Sequence, residues 1–513
     1  MSAPSAVSVP SSQASEDFST FITNFRAQLR DTFRRRGDID AMSLQRGLPP
    51  YVLRDVRSCK PLSAFIPSEY GGRGGHVHES LSVLQAAGYE SIALTLTLGI
   101  NGALFIQPVS KYAKDEVKGP IFERFLEHQH MGGLMITEPD YGSDALSMQT
   151  GYTEHEDYAH LQGTKHWAGL TSWADFWLLT ARKQDAEGNL ARDIDIFICD
   201  ITDPEQHIEV EELYTNLGLY HIPYGRNRLD AKIPYVQQLV PERTGITMLL
   251  DLLHRSRIQF PGMGMGFLQR MLDEALAHCR GRHVGGRSLL NYDQVKSRLS
   301  TLQAYFTACS AMCAHASEHA GLEHNLSKIS LQANAVKTVV TDMMQEAADS
   351  VLQLTGAKGY MQDHIVGRGY VDSRPFQIFE GSNDILYQQI TEAVLKSMRR
   401  LKDNNLYNFL QQSELTARAS DQFKDTLNIT LDPQMPQRKL VELGRVLARI
   451  ISMEFIIELG ERGFRSDLIS NSLAVFRRHA NRYLCAYRDE GLPEIVEDYA
   501  DDSAWVDLVP SRS

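Results

Sequence analysis

One stretch in the C-terminal half of the chain decides how the rest is interpreted: Phe376-Gln377-Ile378-Phe379-Glu380-Gly381-Ser382-Asn383-Asp384. It places a single carboxylate after three apolar side chains within four residues, at a break in the helical pattern. A carboxylate in an apolar setting tends to hold a raised pKa, which suits a general base. Taken alone, a glutamate such as Glu380 is more often a helix cap or a salt-bridge residue, and only its combination with the other motifs of the sequence favours a base.

The hydrophobic pattern changes its period twice along the chain. Residues 21–29 place apolar side chains at helical spacing, and the same spacing returns after Pro261. Between them, isoleucines alternate with other residues at 194–198, as residues of a strand do. Helices, then strands, then helices favour an α+β fold with separate domains over alternating βαβ units.

Periodicity and composition together predict five segments. They are a disordered tail at 1–16, an N-terminal α-helical domain at 17–130, a middle β-barrel or sandwich domain at 131–250, a helical-bundle domain at 251–400 and a C-terminal helical extension at 401–513. With 513 residues and 43% hydrophobic content, the chain is long enough to bury the cores of several domains.

Composition excludes several classes of function. The net charge of −12 argues against nucleic acid, which would need Lys and Arg clustered on one face. No window approaches 18 consecutive apolar residues, so we expect no integral membrane segment. Residues 1–17 fit neither a secretory nor an import signal, which makes the cytoplasm the expected location. The six cysteines are scattered without ligand spacing, so we expect reduced thiols and no metal site.

Two further segments are candidates for ligand contacts. Residues 135–144 concentrate hydroxyls, turn formers and a glycine where the α-domain should meet the β-domain, although a plain turn would use the same residue types. Residues 163–167 end in Trp167, which could stack on a planar ligand or fill the core. The glycines at 262–266 lack the context of a dinucleotide loop and indicate close helix packing.

Taken together, five motifs in chain order resemble the acyl-CoA dehydrogenase family. They are Ile66–Gly72, Thr137–Asp144, Lys165–Trp167, Gln353 with Gly356, and Phe376–Asp384. The resemblance implies an α-helical domain, a small β-domain and a four-helix-bundle domain, to which the C-terminal extension is added. It also implies an FAD cofactor bound across a subunit boundary, in a homodimer or homotetramer.

The resemblance assigns roles to individual residues. It implies that Glu380 and Arg257 are catalytic, and that Ser143, Arg257 and Gly381 bind substrate. The implied cofactor-binding residues are Leu134, Ile136, Thr137, Gly142, Ser143, Trp167, Ala168, Gly169, Arg282, Gln353, Gly356, Ser382, Asn383 and Asp384.

The implied function is FAD-dependent α,β-dehydrogenation of an acyl-CoA thioester to the trans-2-enoyl thioester, as in fatty acid metabolism. Glu380 would remove the α-proton, FAD would accept the hydride, and an electron-transfer flavoprotein or a similar acceptor would reoxidise the flavin. Three alternatives stay open: reoxidation by O2 as in an acyl-CoA oxidase, a substrate carried on an acyl-carrier protein, and a non-catalytic flavin-binding relative.

Two departures from the family pattern concern the cofactor. The usual Trp-Ile-Thr-Asn reads Trp167-Ala168-Gly169-Leu170, so the threonine that hydrogen-bonds flavin N5 is absent. The usual Arg-x-x-Phe-Gly reads Arg282-His283-Val284-Gly285-Gly286. We therefore expect adjusted cofactor contacts and an altered flavin potential or oxygen reactivity.

Overall fold

The N-terminal part of the chain is helical in the computed structural model, which describes residues 16–38, 42, 45–491 and 494–509. The predicted disordered tail lies, except for residue 16, outside the described residues. The Asp17 carboxylate caps α1 by accepting a hydrogen bond from the Thr20 N–H at 3.1 Å. The α-helices with described bounds in this part are α1 Phe18–Arg30, α2 Pro50–Arg57, α3 Val77–Glu90, α4 Ile92–Asn101, α5 Gln107–Tyr112 and α6 Asp115–Glu127.

One long apolar stretch crosses this region from Ile92 to Tyr112, through α4, a π-helical turn at Gly102–Ile106, and α5. Its length and its mean hydropathy of 1.6 would allow it to span a membrane, but 94% of the apolar window is buried inside the fold. Threonine, asparagine and glycine interrupt the apolar run, so the stretch contains no window of 18 consecutive apolar residues. Its burial is that of a core helix.

The middle of the chain is a curled seven-stranded sheet with the order β1-β4-β2-β3-β7-β6, in which β5 pairs with β4. The longest pairing joins β3 to β7 in antiparallel register, with a bulge between His166 and Ala168. The strands are β1 Gly132–Met135, β2 Gly151–Glu154, β3 Tyr158–Gly169, β4 Phe176–Lys183, β5 Asp195–Asp200, β6 Gln206–Leu213 and β7 Tyr224–Pro234.

Strand β5 lies where the alternation at 194–198 predicts a strand, but it has no polar face. Its four central residues, Ile196–Cys199, are all buried. The Tyr152 ring packs edge-on against Phe197 with 5.0 Å between centroids, and a helix of the next domain lies against the strand. Because both faces are covered, the alternation of residue types does not correspond to an alternation of burial.

Six helices and a short hairpin form the next part of the chain. The hairpin pairs β8 His283–Val284 with β9 Arg287–Ser288. The helices are α7 Gly245–Arg257, α8 Phe260–Gly281, α9 Asp293–His319, α10 Ser330–Thr355, α11 Ile365–Ser373 and α12 Asn383–Leu401. The close packing predicted for residues 262–266 is confirmed, because a Cβ added at Gly266 would lie 2.2 Å from the Gln85 carbonyl oxygen on α3.

The C-terminal extension is helical, and the predicted fold class is confirmed. Its longest helix, α16, packs against α10 and α12 of the bundle and against α17. The helices of the extension are α13 Leu406–Gln411, α14 Ala417–Ser420, α15 Lys424–Leu427, α16 Gln437–Glu461 and α17 Ser466–Arg488.

Gly266→Ala should destabilise the protein, although the same change in a helix usually stabilises by about 1 kcal/mol. The added methyl group would collide with the α3 backbone, so α3 and α8 must separate. Gly119→Ala in α6 is the matched control, because a Cβ there meets nothing within 4 Å. Thermal unfolding should show a lower Tm for Gly266→Ala and an equal or higher Tm for Gly119→Ala. An unchanged Tm for Gly266→Ala would contradict the close packing.

Candidate active site

Glu380 lies in a tight turn between a 3-10 helix and α12. The 3-10 helix Arg374–Gln377 ends shortly before it, and the backbone φ is +53° at Glu380 and +91° at Gly381. A residue with a side chain in this left-handed region costs about 1–2 kcal/mol. The surrounding structure must therefore hold the turn, which is typical of functional sites.

Two buried cations hold this turn by its carbonyl oxygens. Arg257 donates to the Glu380 carbonyl from Nε at 3.0 Å and from Nη2 at 2.8 Å, and its Nη1 donates to Asn334 Oδ1 at 2.8 Å. Lys337 Nζ donates to the Gly381 carbonyl at 2.8 Å and to Asn383 Oδ1 at 2.9 Å. Burial lowers the pKa of Lys337 to about 7, against the opposing effect of the Glu380 charge.

The Glu380 carboxylate has one hydrogen-bonded oxygen and one free oxygen. Oε1 accepts from the Ser256 hydroxyl at 2.9 Å, whereas Oε2 is buried without a hydrogen-bond partner among the described residues. Burial raises the pKa of Glu380, and the Arg257 charge, the Ser256 hydrogen bond and the Lys337 charge oppose this only in part. A carboxylate in this state can take a proton from a bound molecule.

Trp167 is exposed at the bulge in β3. Its side chain is 52% accessible, and its backbone φ is +54°. The Tyr214 ring lies at 4.5 Å and the Tyr224 ring at 6.3 Å, both measured between ring centroids. A large indole exposed beside buried strands leaves a flat surface on which a planar ring can stack.

A buried ion pair between Lys165 and Glu138 holds the loop that follows β1. Lys165 Nζ donates to Glu138 Oε1 at 2.8 Å, and the Thr150 N–H donates to the same oxygen at 2.9 Å. Burial lowers the pKa of Lys165 to about 8, while the Lys165 charge, acting against burial, helps to lower that of Glu138. The His166 N–H donates to the Thr137 carbonyl at 2.9 Å, which joins the loop to β3.

The predicted cofactor residues on this side of the site differ in accessibility. Gly142 and Ser143 are exposed, Leu134, Ile136 and Thr137 are partly exposed, and Ala168 is buried. Gly169 lies opposite Tyr224 in the β3–β7 pairing, and a Cβ there would come within 2.9 Å of Ile100 and 3.3 Å of the Tyr224 ring. Ile100 and Tyr224 thus occupy the space that a side chain at position 169 would need, so a threonine does not fit there without a shift of these residues.

Three predicted cofactor residues lie on another surface. Arg282, Gln353 and Gly356 are exposed at the ends of α8 and α10. His278 of α8 lies between the two ends, because it bonds to the Leu354 backbone of α10. Burial lowers the pKa of His278, and the Arg282 charge lowers it further. The predicted role of these three residues toward the cofactor of a neighbouring subunit stays a prediction.

The predicted residues at the start of α12 point in different directions. Asn383 is buried, and its amide donates to Thr341 Oγ1 at 2.9 Å and to Asp342 Oδ1 at 2.8 Å. Asp384 is exposed and pairs with Arg445 of α16 at 3.0 Å. Ser382 is the N-cap residue of α12. Any cofactor contact of Asn383 must therefore come from its backbone, since its side chain is bonded inside the protein.

These groups fit FAD. The exposed Trp167 face suits an isoalloxazine ring, and the exposed backbone at Gly142 and Ser143 suits its polar edge. The amino end of the 19-residue α12 carries the partial positive charge that suits a phosphate.

Sequence reasoning missed four residues that build the site: Ser256, Asn334, Lys337 and Tyr224. Lys337 offered a usable signal, because the apolar residues Ala333 and Val340 lie about one helical turn before and after it on α10. A lysine on such a face must find acceptors when it is buried. Tyr224 offered no such signal, since its contact with Gly169 depends on strand register.

Comparisons with known proteins agree with this arrangement. Models of the acyl-CoA dehydrogenase family match three consecutive parts of the chain: the N-terminal domain at residues 22–129, the middle domain at 133–231 and the C-terminal domain at 243–395. An acyl-CoA dehydrogenase of Bacillus subtilis is 26% identical over 328 residues, which are 62% of this chain and 83% of that protein.

Solved structures share the fold at low identity. A Bacillus anthracis acyl-CoA dehydrogenase in complex with FAD has a TM-score of 0.74 at 17% identity and covers 94% of this chain and 90% of its own. The prolyl acyl carrier protein oxidase AnaB has a TM-score of 0.65 at 16% identity and covers 73% of this chain and 98% of its own.

Lys165→Met should destabilise the protein by about 3–5 kcal/mol, because it leaves the buried Glu138 carboxylate without its cation. Lys183→Met is the matched control, because Lys183 makes a half-exposed pair with Glu154 at 2.6 Å in the same sheet. That change should cost much less, because solvent screens the charges of an exposed pair. Urea unfolding measures the free energy of unfolding of both variants. Equal decreases would contradict a buried ion pair that stabilises the loop.

Proposed function

Because the chain belongs to the acyl-CoA dehydrogenase family, we propose that it dehydrogenates an acyl thioester between its α and β carbons, with Glu380 as the base. Enzymes of this family are FAD-dependent oxidoreductases that act on CH–CH bonds. The observation that carries the proposal is the buried Glu380 carboxylate, whose Oε2 has no partner within the described part of the chain.

The proton is taken by Oε2 of Glu380. The α-proton of a thioester needs a base whose pKa is raised toward its own, and burial raises the pKa of Glu380 in that direction. Ser256 occupies Oε1, so Oε2 is the oxygen left for the substrate. Arg257 bonds to the carbonyl of Glu380 and not to its carboxylate, so the turn stays anchored when the carboxylate becomes neutral.

The negative charge that develops on the thioester oxygen needs a hydrogen-bond donor. We assign the N–H of Glu380 to this oxygen, as the family resemblance implies. Trp167 and the 137–143 loop would hold the flavin ring, and the start of α12 would face the phosphates. When bound, FAD supplies the acceptor for the hydride that leaves the β-carbon.

The substrate carrier and the oligomer belong to the same proposal. An acyl-CoA is the first choice, and an acyl chain on a carrier protein is the second, favoured by the structural likeness to a carrier-protein oxidase.

The exposure of Arg282, Gln353 and Gly356 supports a homodimer or homotetramer in which a second copy of the chain supplies the remaining cofactor contacts. An electron-transfer flavoprotein is the proposed acceptor, and O2 is the alternative.

Glu380→Gln should abolish flavin bleaching by substrate, because the amide keeps the shape of the side chain and cannot take a proton. A base contributes about 10²–10⁴-fold to such a step. The measurement is anaerobic titration with a panel of acyl-CoA and acyl-carrier-protein esters, followed by the loss of the visible absorption band of oxidised flavin. Glu274→Gln, which changes a part-buried pair with Arg270, is the control.

Each outcome of this titration separates the alternatives. Bleaching of the wild type and of Glu274→Gln, but not of Glu380→Gln, supports the proposal. Bleaching only by acyl-carrier-protein esters selects the second substrate class. Reoxidation of the reduced flavin by air as fast as substrate reduces it, with peroxide as the product, identifies an oxidase. Bleaching of Glu380→Gln at the wild-type rate would contradict the role of Glu380.

The rate of bleaching should rise with pH through an apparent pKa above the ordinary glutamate value of 4.5, because only the carboxylate can accept the proton. Ser256→Ala removes a hydrogen bond that lowers the pKa of Glu380, so this rise should move to higher pH. Stopped-flow rates across pH test this, with Ser110→Ala as the control, since the Ser110 hydroxyl bonds only to the Ile106 carbonyl. If the bleaching rate of Ser256→Ala rises at the same pH as that of the wild type, or at a lower pH, the result would contradict Glu380 as the group that titrates.

A further inference from the structure

A buried ion pair joins the C-terminal extension to the helical bundle. Arg449 of α16 is 2% exposed, and its Nη2 lies 2.9 Å from Oδ2 of Asp342 on α10. The other terminal nitrogen of Arg449 donates to the Tyr387 hydroxyl, which donates in turn to Oδ2 of Asp342 at 2.5 Å. The family model of the C-terminal domain ends at residue 395, so Arg449 lies outside it.

The second oxygen of Asp342 leads to the turn that carries Glu380. Oδ1 accepts from Gln377 Nε2 and from Asn383 Nδ2, both at 2.8 Å. Gln377 comes three residues before Glu380 and Asn383 three residues after it. A single carboxylate oxygen therefore ties both ends of the left-handed turn. Asn383 also accepts from Lys337, which bonds to the carbonyl of Gly381 inside the turn.

This arrangement requires Asp342 to stay ionised inside the protein. Burial would raise the pKa of Asp342, but the Arg449 charge is the strongest of the effects that bring the pKa below its ordinary value. A buried carboxylate that loses its cation takes up a proton or draws in water. Either change weakens the acceptor that holds Gln377 and Asn383.

We propose that Arg449 is a positioning residue for the base, so that the extension is a functional part of the active site and not only an attachment to the bundle. Arg449 keeps Asp342 ionised, Asp342 fixes Gln377 and Asn383, and these two residues fix the turn that presents Glu380. The inference rests on the proposed function in taking Glu380 as the base. The geometry of the turn itself does not depend on that function.

The test compares Arg449 of α16 with Arg462, which directly follows α16, in the full-length, FAD-loaded protein. Arg449 is changed to Lys and to Met, and Arg462, at the end of the same helix, is changed in the same way. Arg462 pairs with Glu318 on α9 at the exposed surface, so it attaches the extension without reaching the turn. Two quantities are measured: the limiting rate of flavin bleaching with its half-saturating acyl-CoA concentration, and hydrogen–deuterium exchange of the first turn of α12.

Arg449→Met should lower the limiting rate by about tenfold or more at a half-saturating concentration changed less than about twofold, because misplacing a base raises the barrier without weakening substrate binding. The amides of residues 386–388 should exchange about tenfold faster, because their carbonyl acceptors belong to the loosened turn. Arg449→Lys keeps the charge but cannot donate from two separate nitrogens. Its limiting rate and its amide exchange should therefore each change by about threefold, between the wild type and Arg449→Met. Both Arg462 variants should match the wild type.

Arg449 variants that match the Arg462 variants in rate and exchange would overturn the proposal. If Arg449→Met does not fold, Arg449→Lys decides by the same two readouts, and wild-type values for it would also overturn the proposal. If no acyl thioester bleaches the wild type, the proposed function fails, but the exchange of residues 386–388 still tests the positioning, because it needs no substrate.

Discussion

The left-handed turn at Glu380 is the feature on which the rest of the site depends. The chain would not adopt this backbone unaided, and three elements distant in sequence hold it: Arg257 from α7, Lys337 from α10 and, through Asp342, Arg449 from α16. The energy of several buried hydrogen bonds offsets the local cost of about 1–2 kcal/mol. The helical bundle thus serves as the frame for one strained residue.

The three buried cations have one property in common, which is that none of them makes a hydrogen bond to the carboxylate of Glu380 in the described structure. Each bonds to a backbone carbonyl, to an amide or to another carboxylate. A direct salt bridge would lower the pKa of the base and occupy the oxygen that must accept the proton. Because the charged groups bond to atoms other than the Glu380 carboxylate, they hold the turn in place and leave Oε2 of Glu380 free to accept the proton.

The sequence predicts the domain order and the position of the base better than it predicts what surrounds the base. Helical stripes and the apolar run before Glu380 are local patterns, and local patterns decide secondary structure. Ser256 and Glu380 are 124 residues apart, and Arg449 and Asp342 are 107 apart, so their contacts follow from tertiary packing alone. The burial of both faces of β5 and the contacts of Ile100 and Tyr224 with Gly169 follow from tertiary packing for the same reason.

The most direct test of Glu380 as the base isolates proton removal from hydride transfer. An acyl-CoA with no hydrogen on its β-carbon cannot complete the reaction, but its α-protons can still exchange with D2O when a base removes and returns them. Mass spectrometry should find α-deuterium after incubation with the wild type and background incorporation with Glu380→Gln. Equal incorporation by both proteins would show that another group removes the proton and would contradict the account.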